Sequence, residues 1–207
     1  VTPAVLTGPL LRRDGEGVRV AGPALGLVET SSIARGLVVA DAMVKKAPVT
    51  LVLARPVSPG KHLALVGGDV ADVEEAMQAG VATAAHTLVD RLMLAQVAPE
   101  VLAALGRAGV EPAPDDAVGI IETFAVAAAL LAADAACKAA VVRLAELRLA
   151  DGLGGKAYFV LTGDQADVEA GLSAAEAAIA PGLLLARELI ARPHADLLGA
   201  LRPAPAR

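Results

Sequence analysis

Few side chains in this sequence have both the type and the spacing to do chemistry. Cys137 is the one cysteine, so neither a disulfide framework nor a cysteine-rich metal site can form within a chain. It stands between Ala136 and Lys138 in an alanine-rich run, with no His or Asn at a suggestive spacing, and reads as a small packed residue. His62, His86 and His194 lack metal-ligand spacing and have no recurring carboxylate pair beside them, so they read as surface or structural histidines. Gly152-Leu153-Gly154-Gly155-Lys156 superficially matches a phosphate-binding loop. A true one continues with Ser or Thr and opens a helix; here Ala157 follows and a strand is expected. Glu29 and Glu122 are the remaining candidates for acid–base work. Each ends an expected strand, where binding to local backbone amides is the simpler role. No nucleophile–base constellation is visible, so no catalytic residue is assigned and no metal or cofactor is expected.

The elements that hold these residues come in duplicate. Ala24-Leu25-Gly26-Leu27-Val28-Glu29-Thr30 reappears 93 positions on as Ala117-Val118-Gly119-Ile120-Ile121-Glu122-Thr123. Asp41, Lys45 and Arg55 map in the same way to Asp134, Lys138 and Arg148. Gly60-Lys61 then maps to Gly155-Lys156, and Gly68-Asp69 to Gly163-Asp164, with two more residues in the second copy's loop. Each copy reads as a strand ending at Glu-Thr and an Ala-rich helix (Ile33–Lys46 or Ala125–Ala139). A β-rich segment follows (Val49–Arg55 or Val142–Arg148), then a Gly-rich loop and a strand (Lys61–Val66 or Lys156–Leu161). A second helix starts near Ala71 or Ala166, with acidic residues in its first turn. A short strand near Arg91–Ala95 or Leu189–Ala191 closes the unit. The order β-α-β-β-α-β predicts an α+β fold: a ferredoxin-like α/β sandwich, made twice, each with a short C-terminal tail. The expected division is an N-terminal extension at 1–23, a first domain at 24–106, a linker at 107–116 containing Pro112 and Pro114, and a second domain at 117–207.

Composition narrows the classes of function. Hydrophobic residues make up 56% and aromatics 1%, so the apolar material is mostly small and suggests buried subunit interfaces as well as cores. A net charge of −5, without a basic run or aromatics to stack on bases, argues against nucleic acid as a partner. The longest apolar stretch, from Thr123 to Ala133, is well short of the roughly 20 residues of a membrane span. No secretory signal is visible, and the single cysteine fits a reducing cytosol, so a cytoplasmic location is expected.

The two copies, ALGLVET…ADAMVKKAPVTLVLARPVSPGKHLALVGGDVADVEEAMQAG and AVGIIETFAVAAALLAADAACKAA…GKAYFVLTGDQADVEAG, resemble the bacterial microcompartment shell domain. The resemblance covers all but the extension, linker and tail. It implies a tandem-domain shell protein whose homotrimer imitates a hexamer and tiles with other shell proteins, hexameric and pentameric. Members with permuted domains tend to form double-layered, gated trimers; the unpermuted order here resembles the single-layer subgroup. In some of those, three pore-loop cysteines hold an iron–sulfur cluster. Ser58 stands at that position, and a hydroxyl is a poor cluster ligand, so an open polar pore for small metabolites is expected.

By this resemblance, threefold symmetry gathers one loop from each domain around an axis. The expected pore-lining residues are Pro56, Val57, Ser58, Pro59 and Gly60 in the first loop, and Ala150, Asp151, Gly152, Leu153, Gly154 and Gly155 in the second. The family's edge lysine corresponds to Lys45 and Lys138, and its edge motif to Arg192-Pro193-His194. Copy one has Gln96-Val97-Ala98 in place of that motif, so the two kinds of edge should differ. The alternatives are a shell subunit carrying a cluster or metal at the pore for electron transfer, and a small-molecule-binding regulator that stays a discrete oligomer.

Overall fold

The computed structural model describes residues 22–106, 109–150 and 152–201. The chain divides into two compact units between Val97 and Ala98. In the first, β1 (Ala24–Thr30), α1 (Ile33–Lys46), β2 (Thr50–Val57), β3 (Lys61–Gly68), α2 (Val70–Ala84) and β4 (Leu88–Leu94) follow the expected order. The second repeats it as β5 (Ala117–Thr123), α4 (Val126–Ala139), β6 (Arg143–Leu149), β7 (Ala157–Gly163), α5 (Gln165–Ala178) and β8 (Leu184–Ile190). Two short helices were not read from the sequence: α3 (Pro99–Leu105) and α6 (Ala195–Ala200).

Each unit has one four-stranded antiparallel sheet, in the orders β2-β3-β1-β4 and β6-β7-β5-β8. The repeat extends to the irregularities. Register shifts fall at Leu51/Leu53 and Glu29/Thr30 in one sheet, and at Leu144/Glu146 and Glu122/Thr123 in the other. Bulges re-aim side chains and fix register, so matching bulges place matching residues on the same faces.

The central strands admit their helices closely because each carries a glycine. A Cβ on Gly26 would meet Met77 and Val73 of α2, and one on Gly119 would meet Val168 and Leu172 of α5, all at about 3 Å or less. Val28, Val39, Met43, Ala64, Val66, Val73 and Ala76 fill the core between helices and sheet in the first unit. On the opposite face of the second unit's sheet, Leu198 of α6 packs with Val118, Ala145 and Val160.

Some boundaries move from their expected places. The closing strands start earlier than Arg91 and Leu189, because β4 and β8 pair along nearly all of β1 and β5, down to Leu88 with Thr30 and Leu184 with Thr123. They are edge strands whose charged, half-buried residues dilute the apolar signal. Lys156 belongs to the loop, its N–H donating to the Leu153 carbonyl. Residues 109–116, expected as a linker, lie along β6: Val110 N–H donates to Leu144 O, and Asp116 pairs with Arg143. Residues 1–21 of the extension, residues 107 and 108, and residues 202–207 lie outside the described residues.

Candidate functional site

The hairpins β2–β3 and β6–β7 carry the expected pore residues, Pro56 and Val57 at the end of β2 and the others in the connecting loops. Their side chains divide by exposure. Pro56, Ser58, Pro59 and Gly60 are exposed in the first loop, and Gly152 and Gly154 in the second. Leu153 is half-buried, while Val57, Ala150 and Gly155 are buried within their own units. Asp151 lies outside the described residues. Gly60, Gly152 and Gly154 have φ between +63° and +80°, and an added Cβ on any of them would meet nothing within 4 Å. These tips are therefore glycines for conformational reasons, and they present backbone to open space.

Each loop is pinned at its base by an ion pair that sequence reasoning missed. Lys61 Nζ donates to Glu29 Oε1 at 2.7 Å, and Lys156 Nζ donates to Glu122 Oε1 at 3.1 Å. The expectation that these glutamates bind backbone amides is corrected: a lysine ammonium reaches each of them first. The signal was available, because Glu29/Lys61 and Glu122/Lys156 are conjoined positions of the repeat. Their environments differ sharply. Glu29 is 2% exposed, whereas Glu122 is 35% exposed.

The expected edge residues lie apart from the loops. Lys45 donates to Asp41 at 2.6 Å, and Lys138 donates to Asp134, each pair one helical turn apart on α1 and α4. Both lysines remain exposed. Arg192 and His194 are exposed and Pro193 is half-buried, between β8 and α6. His194 is the N-cap of α6, its Nδ1 accepting the Asp196 N–H at 3.3 Å. Ala98 is the N-cap of α3, the place that His194 occupies in the second copy.

The remaining candidates are chemically quiet. Burial pushes the Cys137 thiol up to about 12, with the carboxylates of Glu100 and Asp134 adding to the effect, so it stays a protonated thiol at neutral pH. His62 is fully buried, with no hydrogen-bond partner for either ring nitrogen among the described residues. Burial lowers its pKa and holds it neutral. His86 is exposed at the end of α2. Among the described residues no group of three or more His, Cys, Asp or Glu converges, and no helix is long and apolar enough to cross a membrane.

The BMC domain family model matches residues 24–98 and again 117–193. The chain is 43% identical over 176 residues to the bacterial microcompartment shell protein PduT of Citrobacter freundii, covering 84% of this chain and 95% of that one. It is 35% identical over 144 residues to the carboxysome assembly protein CcmO of Synechocystis, covering 63% of this chain and 48% of that one. Among solved structures, a microcompartment protein from Desulfitobacterium hafniense shares 44% identity with a TM-score of 0.78, over 86% of this chain and 98% of its own.

Proposed function

The chain belongs to the BMC domain family, with two such domains in tandem, and from that premise we propose that it is a structural subunit of a bacterial microcompartment shell. Three copies close into a pseudohexameric tile with a central pore, and the tile sits in the facets of a cytoplasmic shell beside hexameric and pentameric tiles. The observation that carries this reading is the duplicated wedge: two sheets of the same order and the same bulges in one chain. Negative-stain microscopy of the purified chain tests it. Threefold discs, singly or in flat arrays, are expected; a monomeric particle would overturn it.

The subunit has no catalytic role in this reading. The two hairpin loops line the pore through Ser58, the exposed backbone around Gly60, Gly152 and Gly154, and Asp151. The exposed, uncrowded tips support passage of small polar metabolites. Ser58 supports an open pore over one holding an iron–sulfur cluster, since three hydroxyls do not replace three thiolates. The purified trimer is expected to be colourless, without stoichiometric iron by a chelator assay; stoichiometric iron lost on Ser58→Ala would reverse this assignment.

Lys45, Lys138 and the Arg192-Pro193-His194 segment serve the tile edges. The exposure of Arg192 supports this, and Gln96-Val97-Ala98 in copy one makes the two kinds of edge unlike. A single exposed contact contributes about 0–1 kcal/mol, but a lattice repeats it at every tile. Arg192→Ala is expected to leave the discs intact while abolishing extended sheets in micrographs taken at equal protein concentration.

A further inference from the structure

β2 and β6 are edge strands of their sheets, and each carries a bulge, with Val52 or Ala145 skipped in the pairing to the next strand. A bulged residue stays out of the ladder, so its backbone is open to another segment. In the second unit the chain leading into β5 uses this spot. Val110 N–H donates to the Leu144 carbonyl at 3.0 Å. Gly109 passes so close that a Cβ on it would stand 2.0 Å from the Ala145 carbonyl oxygen, so this position must be bare. Asp116 fixes the crossing: its Oδ2 accepts from Ala113 N–H, from Arg143 of β6 and from Thr162 Oγ1 of β7.

The chain leading into β1 sets out along the same route. Gly22 lies against the end of β3, where a Cβ on it would be 2.3 Å from the Gly68 carbonyl carbon. Gly68 holds the place in β3 that Gly163 holds in β7, each paired with the first residue of the central strand, Ala24 or Ala117. The next strand outward from β3 is β2. Among the described residues, no segment outside the sheet bonds to the backbone of Thr50, Leu51, Val52 or Leu53. The sequence supplies a match for the docked pair. Gly17-Val18 precedes β1 much as Gly109-Val110 precedes β5, with Val18 six residues before Ala24 and Val110 seven before Ala117.

We propose that residues 17–20, which lie outside the described residues, run along the outward edge of β2 in their own chain. Gly17 crosses the Val52 carbonyl, and the Val18 N–H donates to the Leu51 carbonyl, as Gly109 and Val110 do on β6. The distance suits this occupant: the four residues from Gly22 back to Val18 reach roughly 13 Å, against about 4.8 Å between adjacent strands. Glycine at position 17 has the same reason as at 109, a backbone carbonyl where its side chain would be. An unpaired edge strand is a template for pairing with another sheet, and this segment closes the edge of the first sheet as residues 109–116 close that of the second. The assignment goes beyond the shell reading and stands whether or not the chain forms a ring.

Cross-linking in the full chain tests it. In a Cys137→Ala background, Val18→Cys with Thr50→Cys is treated with a short bismaleimide, beside Val110→Cys with Arg143→Cys, two positions that line one groove in the second unit. A link within single chains is expected for both pairs by mass spectrometry of the digested protein, and none for Leu10→Cys with Thr50→Cys. A Val18–Thr50 link found only between chains overturns the proposal, as does its absence where Val110–Arg143 links. An equal yield from Leu10 overturns it too, since the contact would not belong to residues 17–20. Hydrogen exchange of the otherwise unaltered chain gives a second reading. The amides of residues 17–20 are expected to exchange at least about tenfold slower than an unprotected peptide, and Gly17→Val to remove most of that protection. Exchange at the unprotected rate in the unaltered chain, or protection untouched by Gly17→Val, overturns the crossing at Val52.

Discussion

Lys61→Met is expected to cost about 3 kcal/mol of unfolding free energy, while the equivalent Lys156→Met costs less than about 1 kcal/mol. The two lysines do the same thing at the base of equivalent loops, and the difference lies in what each would leave behind. Removing Lys61 strands the Glu29 carboxylate, only 2% exposed, without its cation at 2.7 Å. A buried charge deprived of its partner loses several kcal/mol, moderated here because the Lys61 side chain is itself 27% exposed. Removing Lys156 leaves Glu122 able to rehydrate, and an exposed pair is worth little. Urea midpoints of the two variants at one protein concentration measure the contrast. The double change Glu29→Met with Lys61→Met should recover most of the loss, since it removes the stranded charge. Equal losses from the two lysine variants would show that burial of the glutamate is not what separates the pairs.

The same pairs show how much of the site was legible in the sequence. The duplicated strand–helix order, the loop positions and the i, i+4 pairs on α1 and α4 follow from residue patterns within one repeat, and the structure has them where the pattern puts them. The Glu–Lys pairs join positions in neighbouring strands and needed the register: Glu29 faces Leu63, and Lys61 lies two residues from it on the same face. Helix α3 starts with Pro99 at its first position, a helix-opening signal, but is too short for apolar periodicity to declare it. Its docking on α4 was illegible for another reason: one sequence states that two tails and two outer helices exist, not which tail meets which helix. The Ala98 N–H on Asp134 Oδ1 and the burial of Val101 and Leu130 reveal that α3 is the one that meets α4.

One further pair of positions was written in the repeat without being recognised. Gly36 of α1 and His62 of β3 become Ala129 and Ala157 in the second copy, a glycine and a large residue exchanged together for two small ones. The structure explains the exchange: a Cβ on Gly36 would come within 2.4 Å of the buried His62 side chain, so the helix has room for the ring only if position 36 is bare. Gly36→Ala alone is therefore expected to destabilise the protein by about 1–3 kcal/mol through overpacking. Adding His62→Ala should return most of that loss, since the pair then matches one the second unit already accommodates, and a double-mutant cycle would show strong positive coupling. The pH dependence gives a second readout. Burial lowers the folded-state pKa of His62 below its ordinary 6.5, so the unfolded chain binds a proton first. Stability is then full above about pH 6.5 and declines as the pH falls from there through the folded-state pKa. In the double variant this acid-side decline should be smaller, because the buried imidazole is gone. Denaturant titrations at pH 7.5 and pH 5 would measure it, and an unchanged difference between the two pH values would mean that His62 carries no part of the dependence.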